Sequence, residues 1–114
     1  MPIPQAHQTF MAKKTAEQEW VERLKALADQ TRLRMVRVLI DGSKSVGELA
    51  ESLEISSYNA SKHLRILRGV GIVEMSQSGT RRECAIAEDF RRKINREAVL
   101  DLGCCVFRVK QLGK

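Results

Sequence analysis

Aromatic side chains are scarce in this chain of 114 residues, which holds one Trp, one Tyr and three Phe. Proteins that hold single-stranded nucleic acid stack bases on rows of such rings, so that class is disfavoured. No apolar run approaches the roughly 18 residues that span a bilayer, and no membrane partner is expected. The opening MPIPQAHQTFMAKK lacks the charged-then-apolar order of a secretory signal, so the expected location is the cytoplasm. There is no Ser/His/Asp or Cys/His arrangement, no phosphate-binding glycine loop and no paired carboxylate of catalytic pattern, which argues against an enzyme. Histidine is confined to His7 and His63, and cysteine to Cys84, Cys104 and Cys105. Without an export signal an odd count of cysteines implies reduced thiols, and the adjacent Cys104 and Cys105 cannot bridge each other without strain.

Positive charge, by contrast, is plentiful. The formal net charge is +6 and the isoelectric point is near 9.6, so the protein's field attracts an anionic polymer or surface. With 43% hydrophobic and 30% charged residues, the chain can bury one modest core. We expect a disordered leader over residues 1–14, one domain over 15–103 and an extended segment over 104–114.

Structure should begin near Thr15, where T-A-E-Q spells a capping box. Trp20, Leu24 and Leu27 then step at helical spacing, with Val21 and Ala28 beside them. Asp29 is placed to cap a second helix carrying Leu33, Val36, Leu39 and Ile40 on one stripe and ending at Asp41-Gly42. Ser45 and Glu48 form another capping box, opening a third helix that turns Val46, Leu49, Ala50 and Leu53 inward. It stops near Glu54-Ile55.

Only two or three residues later comes SSYNASKHLRIL, Ser56 to Leu67. Ala60, Leu64 and Leu67 share one face of this helix. The other face holds Tyr58, Asn59, Ser61, Lys62, His63 and Arg65, nearly all donors or cations, a set suited to phosphates and base edges. Two short helices joined so tightly make a helix-turn-helix. After Gly69 the period alternates: Ile72 to Gln77 and Arg82 to Ala87 are strand candidates around a Ser78-Gly79-Thr80 turn. This hairpin would be a wing, its Arg81 and Arg82 reaching a minor groove or phosphates. From Glu88 the spacing of Phe90, Ile94 and Ala98 predicts a last helix, broken at Asp101-Leu102-Gly103.

The runs LKALADQTRLRMVRVL (from Leu24), VGELAESLEIS (from Val46) and SYNASKHLRILRGVGIV (from Ser57) resemble the ArsR/SmtB family of winged helix-turn-helix repressors. The patterns A-D-x-T-R-L-R and S-x-H-L-x-x-L-R-x-x-G-I-V are specific in combination, and the likeness covers roughly residues 20 to 90. It implies a mainly α fold of order α-α-α-α-β-β-α and a bacterial, nucleoid-associated repressor. It also implies a homodimer held by the first and last helices, here Trp20, Leu24, Leu27, Phe90 and Ile94, on double-stranded DNA bearing an imperfect inverted repeat. By position in the motif, Ser56, Ser57, Tyr58, Asn59, Ser61 and His63 are the base- and phosphate-facing set, with Lys62 and Arg65 on the backbone. Asn59 has the geometry for a bidentate contact to adenine. His63 has two readings, a phosphate contact or a neutral imidazole bonded at a helix-helix contact.

The chain departs from the family's usual metal sites. Where a thiol pair would sit in the third helix the sequence is Ser45-Val46-Gly47-Glu48-Leu49, and the last helix has no histidine. Thiolates suit soft species, and three readings of the cysteines stand side by side. Cys104, Cys105 and Cys84 hold trivalent arsenic or antimony as inducer, or they respond to oxidants, or they are small packing residues. A rival function from another class is a winged-helix protein-interaction module with an incidental basic face.

Overall fold

The computed structural model describes residues 15–93, 99–101 and 106–108. Four helices come first: α1 (Ala16–Leu27), α2 (Gln30–Ile40), α3 (Val46–Leu53) and α4 (Ser57–Gly69). Each starts on the side chain that the sequence marks as a cap. Thr15 Oγ1 accepts from the Gln18 N–H at 3.2 Å, and Gln18 Oε1 accepts from the Thr15 N–H at 2.9 Å. Asp29 Oδ1 accepts from the Arg32 N–H at 3.0 Å. Ser45 and Glu48 repeat the reciprocal pattern at 3.1 and 2.9 Å, and Ser56 Oγ accepts from the Asn59 N–H at 3.0 Å. These bonds satisfy N–H groups that a helix start otherwise leaves unpaired.

α3 closes on Glu54 in the left-handed conformation (φ 57°, ψ 45°), while the Ile55 N–H donates to the Ala50 carbonyl at 3.0 Å. This reversal lets Glu54, Ile55 and Ser56 alone join α3 to α4. Val46, Leu49, Ala50 and Leu53 of α3 meet Ala60, Leu64 and Leu67 of α4 in one core, as their spacing predicts. On α2 the stripe is rotated from expectation: Met35 is buried with Val36 and Leu39, while Leu33 and Ile40 are half-buried. α1 departs further. It packs by Ala26 with Trp20 and Leu27 half-buried against the core, and leaves Val21 45% and Leu24 39% exposed.

Beyond α4, β2 (Val73–Ser78) and β3 (Arg81–Ile86) pair antiparallel from Val73↔Ile86 to Ser78↔Arg81. The strands lie one residue off the expected bounds because the turn is only Gly79-Thr80, with Gly79 at φ +64°, where glycine is favoured. Ile72 falls outside the strand yet is fully buried; its N–H donates to Leu67 and its carbonyl accepts from Ala87. A two-residue strand, β1 (Lys44–Ser45), adds to the other edge of β3 through Lys44↔Cys84 and Ser45↔Glu83. The order β1-β3-β2 makes β3 central. So short a strand has no periodicity to reveal it; its partner lies some forty residues away.

The last helix is corrected. α5 is a single turn, Glu88–Arg91, that buries Phe90, and the chain is extended at β4 (Val99–Asp101). β4 pairs antiparallel with β5 (Val106–Arg108) from Val99↔Arg108 to Asp101↔Val106. β-branched and aromatic residues favour such pairing. Residues 1–14, Ile94, Cys104 and Cys105 lie outside the described residues. Among the described residues no helix is long and apolar enough to cross a membrane.

Candidate nucleic-acid interface

The three buried side chains of α4, each at 0% exposure, fix which of its faces points outward. On that outward face Ser57, Tyr58, Asn59, Lys62 and Arg65 are exposed and Ser61 is half-buried. Tyr58 is 73% exposed, and Lys62 Nζ lies 5.6 Å from the centre of its ring. At four-residue spacing the ammonium and ring support each other, so both lean along one ridge. Ser56 is the N-cap of this helix: its Oγ points at the Asn59 N–H rather than outward. The structure therefore brings six of the sequence-identified side chains onto one outward face.

His63 sits apart from them. It is half-buried, with Nδ1 3.1 Å from Nη1 of Arg32, which is the helix-helix alternative rather than the phosphate one. Arg32 in turn donates from Nε to the Ala26 carbonyl near the end of α1 and lies 3.8 Å from Asp29 Oδ2. Burial pushes the Asp29 carboxyl up, but the Arg32 N–H and guanidinium outweigh that and hold it below its ordinary value. A second arginine ties α1 to the far end of α4: Arg23 Nε donates to the Val70 carbonyl at 3.1 Å while its guanidinium stacks 5.0 Å from the Trp20 ring. Sequence reading missed both, although an arginine three residues after a capping Asp was a visible signal for the first.

Arg81 does not hang free on the wing. Its Nε donates to Glu83 Oε1 and its Nη2 to Glu48 Oε1, both at 2.8 Å, while Ser43 Oγ donates to Glu83 Oε2 at 2.8 Å. The Ser45 N–H, then Arg81, holds Glu48 below the usual carboxylate range, and the Ser43 hydroxyl, then Arg81, does the same for Glu83. Glu83 and Glu48 raise Arg81 in return. Arg81 is thus a strut between the wing and the start of α3. Arg82 is exposed and carries no ion pair among the described residues. Between strut and helix lies an open cleft of about 370 Å³ lined by Ser45, Val46, Gly47, Thr80, Arg81 and Arg82.

Two further expectations change. Phe90 is 1% exposed within its own chain and meets Trp20 at 6.4 Å between ring centres, so it has almost no surface left for a partner. Trp20 and Leu27 are half-buried, and among the described residues of the expected dimer set Leu24 is the side chain left open, next to Val21. Cys84 is fully buried at the centre of the β1-β3-β2 sheet, and burial pushes its thiol up. A thiol so placed is a poor soft-metal ligand or oxidant target, which favours the reading of Cys84 as a packing residue. Among the described residues no His, Cys, Asp and Glu cluster forms a metal site.

A helix-turn-helix domain family model matches residues 27–76. In sequence the chain is 41% identical over 64 residues to the HTH-type transcriptional regulator CmtR of Mycobacterium tuberculosis, covering 56% of this chain and 54% of CmtR. The chain thus spans about half the length of the curated relatives it matches. In structure it is similar to HlyU from Vibrio cholerae at TM-score 0.64 and 30% identity, over 70% of this chain and 88% of that one. It is also similar to the homodimeric winged helix-turn-helix DNA-binding domain of Mb0332 from Mycobacterium bovis, a possible ArsR-family regulator. There the TM-score is 0.62 and the identity 28%, over 71% of this chain and 80% of that one. With the capped α3-turn-α4 unit, the wing and these relatives in agreement, the chain belongs to the ArsR/SmtB family of winged helix-turn-helix transcriptional regulators.

Proposed function

We propose that this chain is a sequence-specific double-stranded DNA-binding transcriptional repressor that acts as a homodimer in the bacterial cytoplasm, and that it is not an enzyme. The observation that carries the reading is the sidedness of α4. Ala60, Leu64 and Leu67 are sealed at 0% exposure, while Ser57, Tyr58, Asn59, Lys62 and Arg65 are presented on a rigid, capped helix. Short polar side chains at the start of such a helix read base edges, and the cations that follow grip phosphates. Asn59 and Ser61 supply the readout, Lys62, Arg65 and Arg82 the backbone contacts. The exposed Val21 and Leu24 of α1 supply an apolar surface for a second copy, which would set two α4 helices about 34 Å apart on an imperfect inverted repeat.

For an inducer, trivalent arsenic or antimony suits the adjacent thiols of Cys104 and Cys105 by softness. Relatives named for cadmium resistance and for arsenical resistance support a metal or metalloid signal. With Cys84 buried, any third thiol comes from a partner chain or from small molecules. An inducer must bind one dimer geometry better than the other, and a coupling of about 1–3 kcal/mol changes DNA affinity roughly 5- to 150-fold.

The test is a fluorescence anisotropy titration of the reduced full chain on a duplex from its own promoter. Each phosphate contact should contribute a slope of about −0.9 in log K against log salt, and Asn59→Ala with Ser61→Ala should abolish sequence preference. Weak, salt-insensitive binding, or retention of preference by the double variant, refutes the reading. Repeating the titration with arsenite, and again with Cys104→Ser/Cys105→Ser, tests the inducer.

A further inference from the structure

Arg32, with only 14% of its side chain exposed, joins three helices. A guanidinium has five donors and no acceptor, and it stays charged in proteins. Nε serves the Ala26 carbonyl of the last turn of α1, one of the carbonyls a helix end leaves unpaired. Nη1 faces His63 Nδ1 at 3.1 Å on α4, and Asp29 Oδ2 at 3.8 Å offsets the charge from the start of α2. Because Arg32 can only donate, Nδ1 must present a lone pair. A hydrogen bond at this contact therefore requires the imidazole proton on Nε2.

The inner face of α4 is apolar, and apolar burial is non-directional. It sets which face of the helix turns inward and leaves the finer roll about its axis to directional contacts. A hydrogen bond between charged donor and imidazole is directional. On a helix about 10–12 Å across with its side chains, a roll of about 20° moves an outward atom by about 2 Å, enough to lose a base contact. His63 adjoins Lys62 and lies four residues after Asn59, on the next turn.

We propose that Arg32 is a positioning residue for DNA reading, which acts through Nδ1 of His63 to set the roll of α4 and so the aim of Asn59 and Lys62. This rests on the reading under Proposed function. It assigns His63 to alignment and withdraws it from DNA contact.

Isosteres separate the two roles. His63→Asn keeps an acceptor where Nδ1 stands, His63→Gln reaches to where Nε2 stands, and His63→Leu offers neither. In anisotropy titrations of the full chain on its promoter duplex, His63→Asn should bind within about threefold of wild type. His63→Gln, His63→Leu and Arg32→Met should each lose roughly tenfold or more. His63→Leu/Arg32→Met should be no worse than either single variant, since partners in one bond are not additive. Nitrogen-15 spectra of the DNA-free protein should show the Nε2–H tautomer of His63, and a mixture in Arg32→Met. Should Arg32→Met not fold, the His63 series carries the test, because it leaves the Arg32 bond to Ala26 in place. Binding by His63→Gln but not by His63→Asn, an Nδ1–H signal, or additive losses would overturn the positioning role while leaving the repressor reading intact. Failure of wild type to bind promoter DNA overturns both.

Discussion

Ser56 offers a substitution whose effects on folding and on DNA binding should part in sign. Its Oγ accepts from the Asn59 N–H at 3.0 Å and closes the first turn of α4, so Ser56→Ala leaves that donor to solvent. Loss of such a cap costs about 1 kcal/mol, which lowers Tm by roughly 4–8 °C for a domain of 60–100 residues. The frayed turn is the one carrying Ser57, Tyr58 and Asn59, so promoter affinity should fall with it, by up to about fivefold if the whole cost reappears in binding. Ser56→Asp restores the acceptor and adds a negative charge at a helix N-terminus, worth about 0.3–1 kcal/mol. It should therefore melt at or above wild type. The same charge faces the DNA phosphates, so affinity should drop below that of Ser56→Ala, and the gap should narrow in high salt. Differential scanning calorimetry and anisotropy titration on the same preparations read the two quantities. Recovery of both stability and affinity in Ser56→Asp would show that the start of α4 does not face DNA. An unchanged Tm in Ser56→Ala would show that the cap contributes nothing.

Leu64→Ala, at a fully buried site where α4 meets α3, should destabilise the protein by about 2–5 kcal/mol, read as a lower urea midpoint at unchanged slope. Glu54→Gly should stabilise it by about 1 kcal/mol in the same assay, because a non-glycine residue is strained at φ 57°. The folded-state value of Asp29 is depressed, so its contribution is present above the unfolded value near 3.9 and is lost as pH falls through the folded one. Asp29→Asn keeps a capping oxygen, and its stability should decline less between pH 5 and 2, in about that window, than wild type by thermal melts. In a Cys104→Ser/Cys105→Ser background, Cys84 should resist a thiol reagent until denaturant is added; labelling of the folded protein at the rate of a free thiol would contradict its burial.

Local chemistry could be read directly from the chain. Thr15, Asp29, Ser45 and Ser56 all cap the helices they were expected to cap, because a cap needs only a side chain and a backbone N–H three residues on. The inward faces of α3 and α4 were equally plain, since both helices bury one clean stripe. What escaped depends on partners distant in sequence. β1 exists only because β3 is beside it. Arg81 became a strut because Glu48 of α3 comes within 2.8 Å, and His63 turned inward to Arg32, thirty-one residues away. The α1 stripe misled for the opposite reason: periodicity shows an apolar face but not whether the same chain covers it. Past Glu88, the four-residue spacing of Phe90, Ile94 and Ala98 spoke for a long helix, whereas Val99 is already extended and paired with Arg108.

Ser45 belongs at once to a strand and to a helix: it pairs with Glu83 in the sheet and caps α3. No loop parts the sheet from α3, and three residues join α3 to the reading helix α4, so wing and α4 form a ruler of nearly fixed length. Each half-site should then behave as an indivisible word. One base pair inserted between the bases under α4 and those under the wing displaces one set by about 3.4 Å along the strand, which so stiff a ruler cannot follow. In the proposed dimer, spacing between the two words is set by how the two copies meet, and that is where an operator has room to vary.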